Sequence, residues 1–484
     1  MTPLPSGPLH ELSAVQTVAA YASKAVSPVE LTRAVIEHAQ AWEPHLRATY
    51  AFDPDAALQQ AQASQARWLR GEPLGVLDGV VVTVKDNIAT RGVALPLGTA
   101  ASTLEPAPRD APPAQRLREA GAIILSKTTM PDYGMLSSGL SSFHPLTRNP
   151  WDLTKNPGGS SAGAAAAAAA GYGPLHLGTD IGGSVRLPAG WCGVFGMKPS
   201  LGRIPIDPPY AGRVAGPITR SVADAALMMG PLSLPDARDA MSLPYAAIAW
   251  ERLERDVRGL RVALLMDAGW GLPLDGEVRA AVQAAARAME SAGAIVTPIA
   301  PFLTRAMIDG LDRFWRMRCW LQLSALPPAR RARVLEYIVD WAAAGSHLSG
   351  ADVFDGYSQM GEMRDAALAA CRPYDVLLSP VAPIPAFAAE WAGPTADPNR
   401  PFEHIAYTVA FNMSEQPAAS VNCGYTASGL PIGLQIVGQR FDDLGVLQVA
   451  RAWEQMRPPQ RAWPQPPAPA PAPAPAHAPA PAPA

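Results

Sequence analysis

The chain has 484 residues, of which 48% are hydrophobic and 17% charged, a balance typical of a globular enzyme. Its formal net charge of −3 gives no reason to expect nucleic acid or an anionic membrane as a partner. No stretch approaches the ~18 continuous apolar residues of a membrane span, and the first residues lack the basic start and apolar run of a signal peptide. We therefore expect a cytoplasmic protein that binds neither nucleic acid nor a membrane.

The four cysteines are far apart in the sequence and form no CxxC pair. This spacing indicates neither a disulfide framework nor a zinc site. No nucleotide-binding glycine motif and no HExxH pattern is present. We therefore expect chemistry that needs no metal and no cofactor.

Proline is concentrated at the end of the chain, where residues 462–484 are a Pro/Ala-rich repeat. Such a repeat favours solvated polyproline II and offers little that could pack into a core. We predict a disordered tail over 462–484 and one catalytic domain over residues 1–461.

The predicted elements of the first half alternate between helices and strands. A helix begins after Ser27, which is a good N-cap and is followed by Glu30 at the position that closes a capping box. The β-branched runs at 79–85 and 121–127 predict strands. The alanine run "AGAAAAAAAG", which follows "NPGGSS", predicts a helix that can pack closely against a sheet.

The second half continues the alternation. Strands are predicted at 259–267 and 293–300, with a helix between them that Asp275 would cap. The region from about 303 to 372 is predicted to be helical, and 374–383 returns to a buried strand.

Two strands joined by a turn at Gly429 and a helix from Asp443 to about Met456 close the predicted fold. Alternating strands and helices predict an α/β protein. We expect a single large α/β/α domain, in which helices flank a central mixed sheet on both faces.

Three short stretches carry the candidate chemistry. Lys85 ends the strand "VVVTVK", Ser160 lies in "NPGGSSAG" and Ser184 lies in "GTDIGGSVR". Each pattern alone is weak, because a strand-terminal lysine is usually a solvated charge and glycine-serine turns are common. No histidine stands beside Ser184 in the manner of a Ser-His-Asp enzyme, so the serine needs another base.

Taken together, these stretches resemble the amidase signature family, and the resemblance runs from about residue 10 to 460. It includes "FNMSEQPAASVNCGYTASGLPIGLQIVG" near the C-terminus. The resemblance implies that Ser184 is the nucleophile, Ser160 a bridging serine and Lys85 the base. It also implies a cis peptide bond between Gly159 and Ser160.

A lysine acts as a base only when it is neutral. A free lysine has a pKa near 10.4, and burial can lower that pKa by up to about 3–5 units. The apolar run before Lys85 is a segment that enters a core, so we expect this burial. The N–H groups of Ile181, Gly182 and Gly183, with that of Ser184, are the predicted oxyanion hole.

Residues around Ser184 have two interpretations. Thr179, Asp180 and Arg186 either contact the substrate or brace the loop. Because buried charges must pair, we favour bracing for Asp180 and Arg186, and Thr179 is kept as a substrate-binding candidate. Ser161 is expected to hydrogen-bond within its own loop.

The resemblance places the stretch 129–139 at one wall of the acyl site. Its candidate pocket residues are Met130, Tyr133, Gly134 and Met135, although methionine and aromatic residues are more often plain core. The aromatic cluster at 310–345 either lines a pocket for a bulky apolar or aryl leaving group or forms the buried face of a helical cap.

Two departures from the family pattern are visible. Ala162 stands where the family usually has glycine. The stretch 129–139 also differs from the form associated with the subunit that supplies ammonia in transamidation of Glu-tRNA.

The resemblance implies a metal-independent amidohydrolase for small or aryl amides, with carbamates (urethanes) and esters as further substrates. The alternatives are an amidotransferase-type glutaminase subunit that needs partner proteins, and a catalytically silent scaffold. The expected partner is a small-molecule amide or carbamate, bound by a monomer or a homodimer.

Overall fold

A computed structural model describes residues 7–395 and 397–468 of the protein, and the strands in these ranges join in one mixed sheet. The strands are β1 Thr49–Tyr50, β2 Val81–Lys85, β3 Ile123–Thr128, β4 Leu175–Asp180, β5 Phe195–Lys198, β6 Val214–Thr219, β7 Arg261–Leu264, β8 Ile295–Pro298, β9 Val376–Pro380, β10 Ala418–Tyr425 and β11 Pro431–Val437. Their order across the sheet is β1-β3-β2-β4-β6-β5-β10-β11-β9-β7-β8.

Helices accompany the sheet along the whole described chain. They are α1 Ala14–Ala22, α2 Pro28–Leu46, α3 Pro54–Arg70, α4 Pro112–Glu119, α5 Ala162–Ala170, α6 Arg186–Cys192, α7 Val222–Leu232, α8 Gly276–Ser291, α9 Arg305–Ser324, α10 Pro328–Arg331, α11 Glu336–Ala343, α12 Gly350–Cys371, α13 Ala410–Met413 and α14 Asp443–Met456. Short 3₁₀ turns include Asp132–Gly134 and Glu403–Ile405. The expected α/β class is confirmed.

Local sequence signals located many of these elements. Ser27 caps α2 in a capping box with Glu30, and Asp275 accepts hydrogen bonds from the first N–H groups of α8. The alanine run forms α5, every residue of which is buried. Gly429, with φ of +93°, lies in the turn between the antiparallel strands β10 and β11.

The strands β5 and β6 were not predicted. Strand β6 lies between β4 and β5 in the middle of the sheet, although Pro217 stands within it opposite Leu177. A proline argues against a central strand because it cannot donate to the ladder. Every residue of β6 is buried, so burial of this strand outweighed the unfavourable effect of the proline.

The region predicted to be helical over 303–372 contains α9 to α12. These helices contribute to an apolar cluster that includes Leu311, Trp315 and Trp341 and is separate from the large core cluster built on the sheet strands. The cluster continues into Leu187 of α6 and Ile405. This helical region therefore packs over the segment that contains Ser184.

The predicted tail is only partly within the described residues. Residues 469–484 lie outside them, and residues 462–468 form no helix or strand. Trp463 nevertheless packs half-buried, with the guanidinium of Arg220 4.5 Å from its ring and Trp151 6.0 Å away. The predicted tail boundary at 462 therefore falls before a residue that packs on the domain.

The described ranges also bear on membrane-spanning helices and on the cysteines. Across them, no helix combines the length and apolar character that crossing a membrane requires. All four cysteines are buried and unpaired.

Three parallel neighbours place the chemistry-bearing loops at one edge of the sheet. Strand β2 pairs in parallel with β3 on one side and with β4 on the other. Lys85 is the last residue of β2, and Thr128 and Asp180 end β3 and β4. Carboxyl ends of parallel strands meet at one edge, which is where ligands bind in α/β sheets. Lys85 therefore faces the loops that follow the other two strands.

Candidate active site

Lys85 is fully buried at the end of β2. Its Nζ lies 2.8 Å from Ser160 Oγ and 3.0 Å from Ser161 Oγ. Burial lowers the pKa of Lys85 to about 7, against the opposing effect of Asp180 and Asp86. A substantial fraction of this amine is therefore neutral near pH 7, as a base requires.

Ser160 and Ser161 lie in a tight loop directly before α5. The Gly159–Ser160 peptide bond is cis, the conformation that the resemblance implied. A Cβ on Gly159 would come within 2.5 Å of the backbone nitrogen of Ser138, so a side chain has no room there. The loop therefore brings the Ser160 hydroxyl close to Lys85.

Ser161 ties this loop to its neighbours. Its Oγ accepts from the Thr179 N–H at 3.2 Å and donates to the Thr179 carbonyl at 3.1 Å. Its backbone N–H donates to the Ser184 carbonyl at 3.1 Å. The Ser161 hydroxyl therefore bonds outside its own loop, contrary to the expectation, and its contacts link this loop to β4 and to the loop that carries Ser184.

Asp180 organises the loop from 181 to 186. Its carboxylate accepts from the backbone N–H groups of Gly183 at 2.8 Å and Val185 at 3.1 Å. Gly183 has φ of +128°, and a Cβ there would lie 2.6 Å from Thr408 Oγ1. The turn before Ser184 therefore needs glycine both for its backbone conformation and for its close contact with Thr408.

Arg186 forms a bidentate ion pair with Asp180, and both side chains are completely buried. The Nε and Nη2 atoms each lie 3.0 Å from a carboxylate oxygen. Although burial alone would raise it, the pKa of Asp180 is held below its ordinary value by the Arg186 guanidinium and by Asn412. Arg186 also donates to Gln435 Oε1 at 2.7 Å. This is the geometry of the bracing alternative, since neither side chain lines the cavity beside Ser184.

The structure corrects one residue of the expected oxyanion hole, Gly183, because its N–H group already has an acceptor in the protein. The Gly183 N–H donates to Asp180 and is not free for a substrate oxygen. The N–H groups of Ile181, Gly182 and Ser184 have no acceptor among residues 7–395 and 397–468, and all three residues line a cavity. These three N–H groups are the available donors.

Ser184 lines the same cavity, but its hydroxyl has fewer hydrogen bonds than that of Ser160. Within the described ranges no hydrogen bond joins Ser184 Oγ to Ser160 Oγ, whereas Lys85 and Ser160 are in direct contact. A Cβ on Gly134, another cavity residue, would lie 3.2 Å from Ser160 Oγ, so Ser160 approaches the cavity from behind this glycine. Catalytic hydrogen bonds often tighten only when substrate binds.

The cavity has a volume of about 540 Å³ including the solvent at its mouth. It is bounded by the Ser184 loop, by the segment after β3, by the helical region and by the segment before α13. The lining residues are Gly134, Met135, Leu136, Ser137, Ile181, Gly182, Ser184, Trp315, Arg318, Tyr337, Ala392, Gly393, Pro401, Phe402, His404 and Ile405.

The expected pocket residues divide between the cavity and its surroundings. Gly134 and Met135 line the cavity, whereas Met130 and Tyr133 do not. Met130 is fully buried beneath Gly134, where its Cε lies 3.2 Å from the position of a Cβ on that glycine. Thr179 also does not line this cavity, and its hydroxyl accepts from Asn87 Nδ2 at 3.0 Å.

The two interpretations of the aromatic cluster at 310–345 each describe part of it. Trp315 and Tyr337 line the cavity, as does Arg318 between them in the sequence. Trp341 is instead buried inside the helical region, where its Nε1 donates to Asp312 at 2.8 Å. The cluster thus serves as a cavity wall at one end and as a core at the other.

The cavity residues Phe402, His404 and Ile405 were not anticipated from the sequence. They lie in and beside the 3₁₀ turn Glu403–Ile405, within the stretch "PFEHIAYTVAF". No periodicity or motif distinguishes this stretch, and its approach to Ser184 is a consequence of tertiary packing.

Comparison with protein families gives a match to the amidase family over residues 30–447. The chain belongs to the amidase signature family. It is 35% identical to an acylamidase of Rhodococcus erythropolis, over 93% of this chain and 96% of that one. It is 33% identical to a glutamyl-tRNA(Gln) amidotransferase subunit of Myxococcus xanthus, over 92% and 97% of the two chains. The family expected from the sequence is confirmed.

Solved structures of this family have the same fold. A bacterial aryl acylamidase of the amidase signature family matches with a TM-score of 0.86 at 30% identity, covering 93% of this chain and 97% of that one. A 6-aminohexanoate cyclic dimer hydrolase matches with a TM-score of 0.85 at 26% identity, covering 94% and 98%. This amidase signature protein therefore has the α/β architecture of its relatives.

Removal of the Asp180 charge provides a test of the bracing role. Breaking a buried ion pair costs about 3–5 kcal/mol, so Asp180→Asn should lower the free energy of unfolding by that order and release the Ser184 loop. Asp443→Asn is the matched control, because Asp443 is paired with Arg203 in a second buried ion pair. Both variants should lose stability in urea unfolding.

Labelling of Ser184 by a fluorophosphonate should distinguish the two variants under conditions where each is folded. We expect Asp180→Asn to lose labelling and Asp443→Asn to keep it. Labelling of Asp180→Asn at the wild-type rate would contradict the bracing role.

Proposed function

We propose that this amidase signature protein hydrolyses carboxylic amides of small molecules, with Ser184 as nucleophile, Ser160 as proton relay and Lys85 as base. The observation that carries the proposal is the contact of a fully buried lysine amine with Ser160 Oγ at 2.8 Å, beside the cavity that Ser184 lines. Membership of the amidase signature family supports it.

The first half-reaction forms an acyl-enzyme. Neutral Lys85 accepts the Ser160 proton while Ser160 accepts the Ser184 proton, and Ser184 Oγ attacks the amide carbon. Negative charge on the carbonyl oxygen is stabilised by the free N–H groups of Ile181, Gly182 and Ser184. The C–N bond then breaks, and the relay returns one proton from Lys85 to the departing amine.

Water completes the second half-reaction. It attacks the acyl carbon while its proton passes along the same relay to Lys85. The bond between Ser184 Oγ and the acyl carbon breaks, and Ser184 recovers a proton through Ser160. The products are a carboxylic acid and an amine, and the protein is regenerated unchanged.

The walls of the cavity favour amides with an aromatic or bulky apolar group. Trp315 and Phe402 are packed edge to face with ring centroids 5.2 Å apart, and Tyr337 and Ile405 line the same space. Aromatic walls suit an aryl ligand because they bury large apolar area. Carbamates and esters are proposed as further substrates, since the same attack cleaves them. The carbamic acid or carbonic half-ester formed from a carbamate then loses CO2.

A glutaminase role within an amidotransferase is the second candidate. It is supported by the 33% identity to the Myxococcus xanthus amidotransferase subunit. The apolar aromatic walls favour the first candidate, because the side chain of glutamine ends in a small polar amide. A silent scaffold is the least supported alternative, since Lys85, Ser160 and Ser184 are all present at one edge of the sheet.

Hydrolysis of a matched pair, a p-nitroanilide amide and the corresponding aryl carbamate, tests the proposed chemistry. Ser184→Ala and Lys85→Met should each lower kcat/KM for the amide by about 10³-fold or more. Lys127→Met is the matched control, because Lys127 is also fully buried and its pKa is also lowered to about 7 by burial. Its Nζ contacts Ile88 O and Thr90 Oγ1 and has no contact with Ser160.

We expect the Lys127→Met protein to retain amide hydrolysis. Full activity of Ser184→Ala would refute the assigned nucleophile. Equal loss in both lysine variants at equal thermal stability would refute the assigned base. Faster turnover of the carbamate than of the amide would identify carbamates as the preferred substrates.

The pH profile of kcat/KM follows from the lowered pKa of Lys85. The neutral amine is the active form, so activity should rise about tenfold per pH unit below pH 7 and level off above it. The direction is fixed because burial disfavours the charged form and protonation removes the base. A profile that is flat from pH 5 to 9 would contradict a lysine base.

The purified chain alone should separate the two enzyme candidates. We expect turnover of the p-nitroanilide, because the proposed hydrolysis of small amides needs no partner. We expect no ammonia release from glutamine, because the apolar cavity walls do not suit its polar side chain. A coupled assay for ammonia provides the measurement. Glutamine hydrolysis with an inert anilide would favour the amidotransferase role.

A further inference from the structure

The cavity beside Ser184 contains a buried histidine without hydrogen-bond partners. His404 lies in the 3₁₀ turn Glu403–Ile405 and is 2% exposed. Neither Nδ1 nor Nε2 has a partner among residues 7–395 and 397–468. Buried polar groups are nearly always paired, so an imidazole with two unpaired nitrogens, in a residue that lines the cavity, points to a ligand.

The chain contains a contrasting histidine that is purely structural. His176 is equally buried in β4, but its Nδ1 lies 2.8 Å from Thr83 Oγ1 and its Nε2 lies 3.0 Å from Gly173 O. Burial lowers the pKa of both His176 and His404 to about 3. Both rings are therefore neutral at pH 7, and only their hydrogen-bonding partners differ.

The position of His404 suits recognition rather than proton transfer. No hydrogen bond connects it to Ser160 or to Lys85 within the described part of the chain, and its ring is tilted against Trp191 at 6.3 Å between centroids. A neutral imidazole offers one N–H donor and one acceptor nitrogen. Trp315 lines the same cavity, and its Nε1 is also buried without a partner among the described residues.

The wall that contains His404 is close to the reacting centre. A Cβ on Gly182 would lie 3.3 Å from Trp315 Cη2 and 3.4 Å from Ile405 Cδ1. Gly182 is two residues before Ser184, and Ile405 directly follows His404. A single aromatic amide whose carbonyl lies at Ser184 can therefore extend a ring substituent along this wall.

We propose that His404 is a specificity-determining residue that hydrogen-bonds to a hydroxyl substituent on the aromatic ring of an amide substrate. A hydroxyl suits either nitrogen of the ring, because it both donates and accepts. The inference rests on the proposed function in taking the ligand to be an aromatic amide. It predicts a preference in binding and makes no prediction about turnover.

Calorimetric titration of the Ser184→Ala protein measures this preference without hydrolysis. One ligand pair is acetanilide and 4′-hydroxyacetanilide, and the other is phenylacetamide and 4-hydroxyphenylacetamide. We expect the hydroxylated member of at least one pair to bind about three- to tenfold more tightly.

Substitutions at position 404 in the same background assign the preference to the histidine. His404→Phe should reduce the preference to about one while leaving the Kd of the unsubstituted ligand nearly unchanged. His404→Gln should restore part of it, since an amide also donates and accepts. His176→Gln is the matched control and should leave the preference intact.

The inference is overturned if neither pair shows a preference, if neither ligand binds, or if the preference survives in His404→Phe. It is also overturned if His404→Phe weakens both members of a pair equally with a lower Tm, because that result indicates packing alone. Loss of the preference in His404→Phe together with an inert wild-type protein would refute the proposed hydrolysis and leave the recognition role standing.

Discussion

The buried ion pair between Asp180 and Arg186 is the interaction on which the site depends. Asp180 ends β4 and accepts the N–H groups that shape the Ser184 loop, while Arg186 begins α6. Arg186 reaches Gln435 in β11, and Asn412 bonds to both partners. Strands and loops distant in sequence are thus joined at the loop that carries Ser184.

Asp180 also affects the protonation of Lys85. Asp180 and Asp86 favour a charged Lys85, whereas burial favours a neutral one. The same Asp180 carboxylate accepts two hydrogen bonds of 3.0 Å from Arg186. Burial is the larger effect on the pKa of Lys85. The Asp180 carboxylate therefore acts both on the Ser184 loop and on the protonation of Lys85.

The sequence predicted what is determined locally. The capping box of α2, the alanine helix α5 and the glycine turn before Ser184 have conformations that their own residues favour. It did not predict β6, in which a proline lies at the centre of the sheet, or the commitment of the Gly183 N–H to Asp180. The turn that carries His404 was also beyond prediction, since only tertiary packing brings it to the cavity.

Burial alone does not identify a catalytic lysine in this fold. Lys85, Lys127 and Lys198 are all fully buried, and burial lowers the pKa of each to about 7. Lys198 Nζ donates to the Pro199 carbonyl, and a carbonyl has no proton to give. Lys127 contacts a carbonyl and a threonine that is not part of the Ser184 cavity. Lys85 instead contacts the hydroxyl of Ser161 and that of Ser160, which lies behind the cavity residue Gly134. The neighbours of the amine, and not its lowered pKa, therefore support Lys85 as the proposed base.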